Sequence, residues 1–354
     1  MKENFLKFFP DTKITAIPVA DGGEGTVDCF LSALGGEKIS LPCFGPYMEE
    51  TTAFYGLLSG GETAVVEMAA AAGLPMVEGR KNPLLTTTYG VGELILAAAK
   101  RGAKKIILGL GGSCTNDFGC GAACACGIKF YDEFGNDFIP VGGTLEKIKH
   151  IDFSQKDNAL DGVEIVVSCD IDNPTYGENG AARIFAPQKG ADEHAVQLLD
   201  KGVKHLCDLL SKQLKTDFSN LQGGGAAGAM GAGMVAFFDA KLKMGIETVL
   251  NTVHFLELAK KADLVITGEG KIDSQSLRGK VVIGVARAAK QVGVPVVAIV
   301  GGADGDLSPA YEEGVTAVFP INRLPQDFSV SRHYAKENLA FTAENLARLL
   351  KTTK

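Results

Sequence analysis

ADLVITGEGKIDSQSLRGKVVIGVARAAKQ, residues 262–291, decides how this chain is read. It opens on an apolar run, ADLVI, of the length and branching expected of a buried strand. It closes on VVIGVARAAKQ, whose apolar spacing is helical. Between them, TGEGKIDSQSLRGK (267–280) gathers glycines, two carboxylates, two lysines, an arginine and several hydroxyl and amide side chains. A strand, a polar glycine-bearing loop and a helix in that order predict a parallel sheet, where ligands bind beyond the carboxyl ends of the strands.

The same alternation recurs outward from this stretch. Strands are expected at 13–19 (KITAIPV), 63–68, 104–110, 163–169, 263–268, 294–300 and 316–321. Helices are expected at 26–34, 87–101, 193–211, 226–240, 253–262, 280–292 and 335–350. The middle departs from the pattern. Residues 43–62 read as an antiparallel hairpin, and 130–162 and 170–192 are rich in turn residues. The fold class is therefore α/β: a Rossmann-like three-layer parallel-sheet domain from residues 1–42 and 236–354, with a mixed α/β domain, 43–235, inserted. A length of 354 residues suits two domains.

Composition excludes several functions. The net charge of −7 does not suit neutralising nucleic-acid phosphates or lying on an anionic membrane. No apolar run approaches the roughly 18 residues of a membrane span. The start, MKENFLKFFPDTK, has too short an apolar core for a secretory signal, so a cytoplasmic protein is expected. The eight cysteines lack metal-ligand spacing, and those of CGAACACG (120–127) read as buried thiols rather than as a metal site.

Glycine is over-used: 44 residues, about 12% against a usual 7%. The glycines cluster with acids where strands end. PVADGGEG brings Asp21 and Glu24. GLGGSCTNDFG brings Gly111, Gly112, Ser113, Thr115, Asn116 and Asp117. SCDIDNP brings Asp170, Asp172 and Asn173. The opening stretch brings Gly268, Glu269, Gly270, Asp273, Ser276, Arg278 and Lys280. Glycine backbone and lysines bind phosphates, while one or two carboxylates hold Mg²⁺. A metal–nucleotide is the chemistry these loops suit. Each residue has a plainer reading: Asp21 as a helix cap, Asn116 and Asp117 as turn residues, Lys280 as a solvated surface group. The P-loop pattern fails at Ser274. Gly223, Gly225 and Gly228 satisfy GxGxxG, but no clear strand precedes them.

VADGGEGT, GLGGSCTND, CDIDNP, FAPQKGAD, GAAGAMGAG and TGEGKIDSQSLRGK, in this order, closely resemble the bacterial glycerate kinase family of the glycerate 2-kinase type. The resemblance runs from about Phe9 to past Gly301. It implies ATP-dependent phosphorylation of D-glycerate to 2-phosphoglycerate with Mg²⁺, in a cleft between two α/β domains. It implies Asp273, Asp21 and Lys280 as catalytic residues. Gly111, Gly112, Ser113, Thr115, Asn116, Gly268, Gly270 and Ser276 would hold the nucleotide. Asp172, Gln188, Lys189 and Arg278 would hold the substrate, and Glu269 and Asp117 the metal. It also implies a first strand and a lysine-bearing loop that are expected to be absent, since the chain starts inside the helix that follows them. A truncated form of a longer enzyme is thus expected. Alternatives are a glycerate 3-kinase or other hydroxy-acid kinase, and an inactive nucleotide- or acid-binding protein. A cysteine-ligated metal protein ranks last. Oligomeric state is not legible.

Overall fold

The computed structural model describes residues 1–20, 22–273 and 281–352. The chain forms two compact units, Ala20–Thr248 and Met1–Val19 with Val249–Lys354.

The larger unit is built on a six-stranded sheet. Its strands are β1 (Gly36–Phe44), β2 (Glu50–Leu58), β3 (Thr63–Glu67), β4 (Lys105–Gly109), β8 (Glu164–Ser168) and β9 (Lys241–Lys243), in the order β1-β2-β3-β4-β8-β9. The first three are antiparallel. The last four are parallel. Pro42 is tolerated in β1 because β1 is an edge strand. Ala64, Val66, Ile106, Leu108, Ile165 and Val167 bury one face, together with Val91, Leu94, Ile95 and Ala98 of the helix Tyr89–Lys100. The helix Thr26–Leu34 covers β2 and β3, burying Val27 and Phe30. A second core gathers Phe118, Phe130, Ile151, Leu206, Leu210 and Phe237. It lies under the small antiparallel sheet of β5 (Lys129–Tyr131), β6 (Asp137–Phe138) and β7 (His150–Asp152).

The smaller unit has parallel strands β10 (Val265–Thr267), β12 (Val296–Val300) and β14 (Val315–Pro320), in that order. A short parallel pair, β11 (Lys271–Ile272) and β13 (Gly302–Ala303), extends beyond them. The two-residue period of β12 splits its side chains. Val297 and Ile299 pack with Phe5, Ala343, Leu346 and Ala347. Val296, Ala298 and Val300 are buried on the opposite side, and the helix Val281–Lys290 packs on β10 and β12. This is the three-layer arrangement expected of a parallel sheet buried on both faces.

Three expectations need correction. The units part at 19/20 and 248/249, not at 42/43 and 235/236. Residues 36–44 pair with β2 along all nine positions and 241–243 pair with β8, which binds both segments to the larger unit. Residues 13–19 form no strand; Ile14 packs into the smaller core while the backbone stays out of the sheet. The helix Ala226–Phe238 is interrupted, because Ala227, Gly228 and Ala229 all have left-handed backbone. Among the described residues no helix is long and apolar enough to cross a membrane.

Candidate active site

Three of the acid- and glycine-bearing motifs meet at the carboxyl edge of β4 and β8. The Gly111 N–H donates to the Gly22 carbonyl over 2.9 Å. A Cβ on Gly109 would collide with that same carbonyl, and one on Gly111 would lie 2.5 Å from the Gly23 Cα. A Cβ on Gly22 would lie 2.9 Å from the Ser168 carbonyl. Glycine at these positions lets the segment before the helix Thr26–Leu34 cross directly over the strand ends. Glu67, the last residue of β3, is buried and accepts the Val27 N–H at the start of that helix over 2.5 Å. Burial raises the pKa of its carboxyl, against hydrogen bonds from Val27 and Gly25 that pull it down. At the end of β8, half-buried Asp170 accepts the Gly245 N–H over 2.7 Å.

The loop after β4 carries the most buried polarity. Ser113, Thr115, Asn116 and Asp117 are all buried. Asp117 was expected to bind metal, and its environment corrects this. Its carboxylate accepts from the Thr88 N–H and hydroxyl at 2.8 Å each, the Gly121 N–H at 3.1 Å and the Gly119 N–H at 3.3 Å. Those donors begin the helices Tyr89–Lys100 and Cys120–Ala125. Asp117 therefore caps both, and its oxygens are taken. Burial pushes its pKa up, opposed by these hydrogen bonds.

Lys189 reaches the same loop from the 3₁₀ turn Pro187–Lys189. It is 2% exposed, and its ammonium donates to the Ser113 hydroxyl at 2.9 Å and the Thr115 carbonyl at 2.7 Å. Burial lowers its pKa to about 8. Thr115 Oγ1 and both polar atoms of the Asn116 amide are buried without a hydrogen-bond partner among the described residues.

The interrupted helix presses on this loop. The Phe118 N–H donates to the Gly228 carbonyl at 3.1 Å, and Phe118 itself has φ of 60°. A Cβ on Gly228 would collide with the Thr115 carbonyl and the Asn116 Cα. Ala227 and Ala229 bear left-handed strain already, so position 228 needs glycine for contact as much as for φ. Gly228→Ala is expected to cost roughly 2–4 kcal/mol of stability. Urea denaturation checks this; an unshifted midpoint would show that the loop yields without cost.

In the smaller unit the opening stretch runs from β10 into β11. A Cβ on Gly268 would collide with the Ile299 carbonyl, and one on Gly301 with the Gly270 carbonyl. Glu269 is half-buried, and its carbonyl accepts the Gly301 N–H at 3.1 Å. The Asp273 side chain is 28% exposed and lies 3.6 Å from the Lys271 ammonium, which also pairs with Asp304 at 2.9 Å. For Mg²⁺, Asp117 does not fit, because protein donors occupy its oxygens. Glu269 and Asp273 do fit: both are hard carboxylate donors, and Asp273 is partly open. Among the described residues no cluster of three or more His, Cys, Asp or Glu could hold a metal alone. Mg²⁺ commonly takes one or two carboxylates with phosphate oxygens, so such a cluster is not required.

Of the remaining expected residues, Asp172, Gln188 and Gly112 are exposed. Asp21, Ser276, Arg278 and Lys280 lie outside the described residues, as does Ser274. Glu67 and the capping role of Asp117 were not foreseen. A lone acid inside an apolar strand, TAVVEM, is the signal that marks Glu67.

An α/β protein with glycine-opened, acid-bearing loops at the carboxyl ends of parallel strands belongs, by fold and site, among binders of small polar ligands. The profile described as the Glycerate kinase family matches residues 1–351. A protein named glycerate kinase from Bacillus cereus is 45% identical over 352 residues, covering 99% of this chain and 92% of its own length. A glycerate 2-kinase from Escherichia coli K12 is 42% identical over 351 residues, with coverages of 99% and 92%. The crystal structure of a protein described as a glycerate kinase 2 from Salmonella typhimurium LT2 aligns with a TM-score of 0.87 at 41% identity, over 99% of this chain and 92% of that one. The chain belongs to the glycerate kinase family.

Proposed function

We propose that the protein transfers the γ-phosphoryl group of ATP to the 2-hydroxyl of D-glycerate, with Mg²⁺, in the cytoplasm. Relatives named glycerate kinase and glycerate 2-kinase at 42–45% identity support the substrate and the position. The observation that carries the reading is the meeting of the loops around Gly22, Gly111 and Ser168 at one strand edge, with a buried lysine beside the second of them.

On this reading the glycerate 2-oxygen forms a bond to the γ-phosphorus while the bond from phosphorus to the bridging oxygen of ADP breaks. The hydroxyl proton passes to a carboxylate. The transition state is loose, so positioning and charge neutralisation matter more than the base. Glu269 and Asp273 are the candidates for holding Mg²⁺, which neutralises phosphate charge when bound, and Asp273 is the candidate base. Gly268 and Gly270 are candidates for the nucleotide phosphates, with open space only at the Cβ position of Gly270, and Gly111 and Gly112 are further candidates. Asp172, Gln188 and Arg278 remain candidates for the acid, Ser276 for the nucleotide, and Asp21 and Lys280 for the reacting groups.

The test is phosphorus NMR of the protein with Mg·ATP and D-glycerate. A phosphomonoester signal that appears only with D-glycerate, and whose product is converted by enolase, is the expected result. A product that enolase does not take directly would assign the 3-hydroxyl instead. ATP binding without any transfer to D-glycerate would refute the reading.

A further inference from the structure

Lys189 is a buried cation with neutral partners. Its ammonium has three donors, and the structure gives two of them partners, the Ser113 hydroxyl and the Thr115 carbonyl. No carboxylate lies within ion-pair distance of it among the described residues; the charged or ionisable groups that reach it electrostatically are Cys114 and Asp117. Burial holds the Cys114 thiol up at about 12, and Asp117 is committed to its helix caps. Beside the Lys189 contacts, on the same loop, stand three unanswered groups: the Thr115 hydroxyl, the Asn116 amide N–H₂ and the Asn116 amide oxygen. Both residues are 0% exposed. A fold normally satisfies buried polar groups or does without them. Here a charge, two neutral donor groups and one acceptor belong to one loop and the lysine bound to it, at a strand end where ligands bind. Ser113 is the least buried of the set and follows exposed Gly112.

We propose that Lys189, Ser113, Thr115 and Asn116 form the recognition site for an α-hydroxycarboxylate, with the anion taken by Lys189 and the Thr115 hydroxyl and the α-hydroxyl by the Asn116 amide. This deepens the glycerate kinase reading and rests on it. It also moves Ser113, Thr115 and Asn116 from the nucleotide to the acid. The chemistry favours a carboxylate over a polyphosphate. A single ammonium with short neutral side chains and no arginine matches one negative charge, and the cluster offers an acceptor that a phosphate oxygen cannot use.

The test is calorimetric titration of the whole chain with D-glycerate, D-lactate and glycerol, with and without Mg²⁺ and a non-hydrolysable ATP analogue. D-glycerate and D-lactate are expected to bind; glycerol, lacking the carboxylate, is not. Lys189→Met and Asn116→Ala are each expected to weaken D-glycerate about 10- to 100-fold, leaving the ATP analogue within about threefold. Asn116→Ala has a second signature. It removes a buried amide without partners among the described residues, so the melting temperature should rise by roughly 2–4 °C while acid binding weakens. If Lys189→Met fails to fold, Asn116→Ala decides alone. Unchanged D-glycerate affinity in Asn116→Ala, equal binding of glycerol, or a loss confined to the nucleotide would overturn the proposal. The two readings fail separately: D-glycerate bound through Asn116 but never phosphorylated sinks the kinase reading alone. Phosphorylation with an unaltered KM for the acid in Asn116→Ala sinks this one alone.

Discussion

Asp117→Ala is expected to destabilise the larger unit by on the order of 3–5 kcal/mol, a drop in melting temperature of roughly 10 °C. The argument is a count of stranded donors. The carboxylate is fully buried and receives the N–H groups of Thr88, Gly119 and Gly121 and the Thr88 hydroxyl. The same Thr88 hydroxyl in turn accepts the Ala122 N–H at 2.9 Å, so the loss spreads one residue further. These are first-turn donors of two helices, which have no intrahelical acceptor. Each buried donor left unanswered costs about 1–3 kcal/mol, with less than full additivity. The alternative, Asp117 as a metal ligand, predicts the reverse: unchanged stability of the metal-free protein and a loss of Mg²⁺-dependent turnover. Melting curves recorded with EDTA and with Mg²⁺ separate them. Equal melting of variant and wild type in EDTA would return Asp117 to the metal.

The sequence disclosed the architecture where its apolar runs are continuous. Runs such as KIILG and VVAIV are too continuously apolar to be half-exposed, so they had to be parallel strands covered on both faces. It misled where pairing decides. KITAIPV has the composition of a strand, yet no partner among the described residues takes its backbone. GEKISLPCF holds a proline and two charges and still forms all of β1, because an edge strand is stabilised by the hairpin it makes with β2. The domain boundaries were misplaced for the same reason, since strand partners far along the chain claim residues 36–44 and 241–243. The kink at Ala227–Ala229 was invisible: alanines favour helix, and the Thr115–Phe118 loop packs against them where they leave it.

The site was legible as a set of loops and illegible as a set of roles. Gly22, Gly109 and Gly111 do what strand-end glycines are for, letting backbones touch. Which acid caps and which reacts is decided by burial, and burial is not written in a motif. Asp117 and Asp273 both follow glycine-bearing strand ends in the sequence. One is sealed under two helices, while the other is 28% exposed beside Lys271. Lys189 is the sharpest case. Lysine is expected at the surface, and its neighbours Gln188 and Gly190 are indeed exposed. Only the fold turns that one side chain inward.

Asp273→Asn is accordingly expected to leave the fold intact and to lower kcat by about 10²- to 10³-fold. The substitution keeps size and shape and removes the charge. A partly exposed carboxylate whose near neighbour is an exposed lysine, 54% open, contributes little to stability, so the melting temperature should move by no more than about 2 °C. The kinetic pattern then tells base from metal ligand. If Asp273 accepts the hydroxyl proton, kcat falls with the KM for D-glycerate and the Mg²⁺ dependence unchanged. If it holds Mg²⁺, the half-saturating metal concentration rises and added Mg²⁺ recovers part of the rate. Turnover within about twofold of wild type would remove Asp273 from both roles, leaving Glu269 as the remaining carboxylate candidate among the described residues of this loop, to be tested by Glu269→Gln in the same assay.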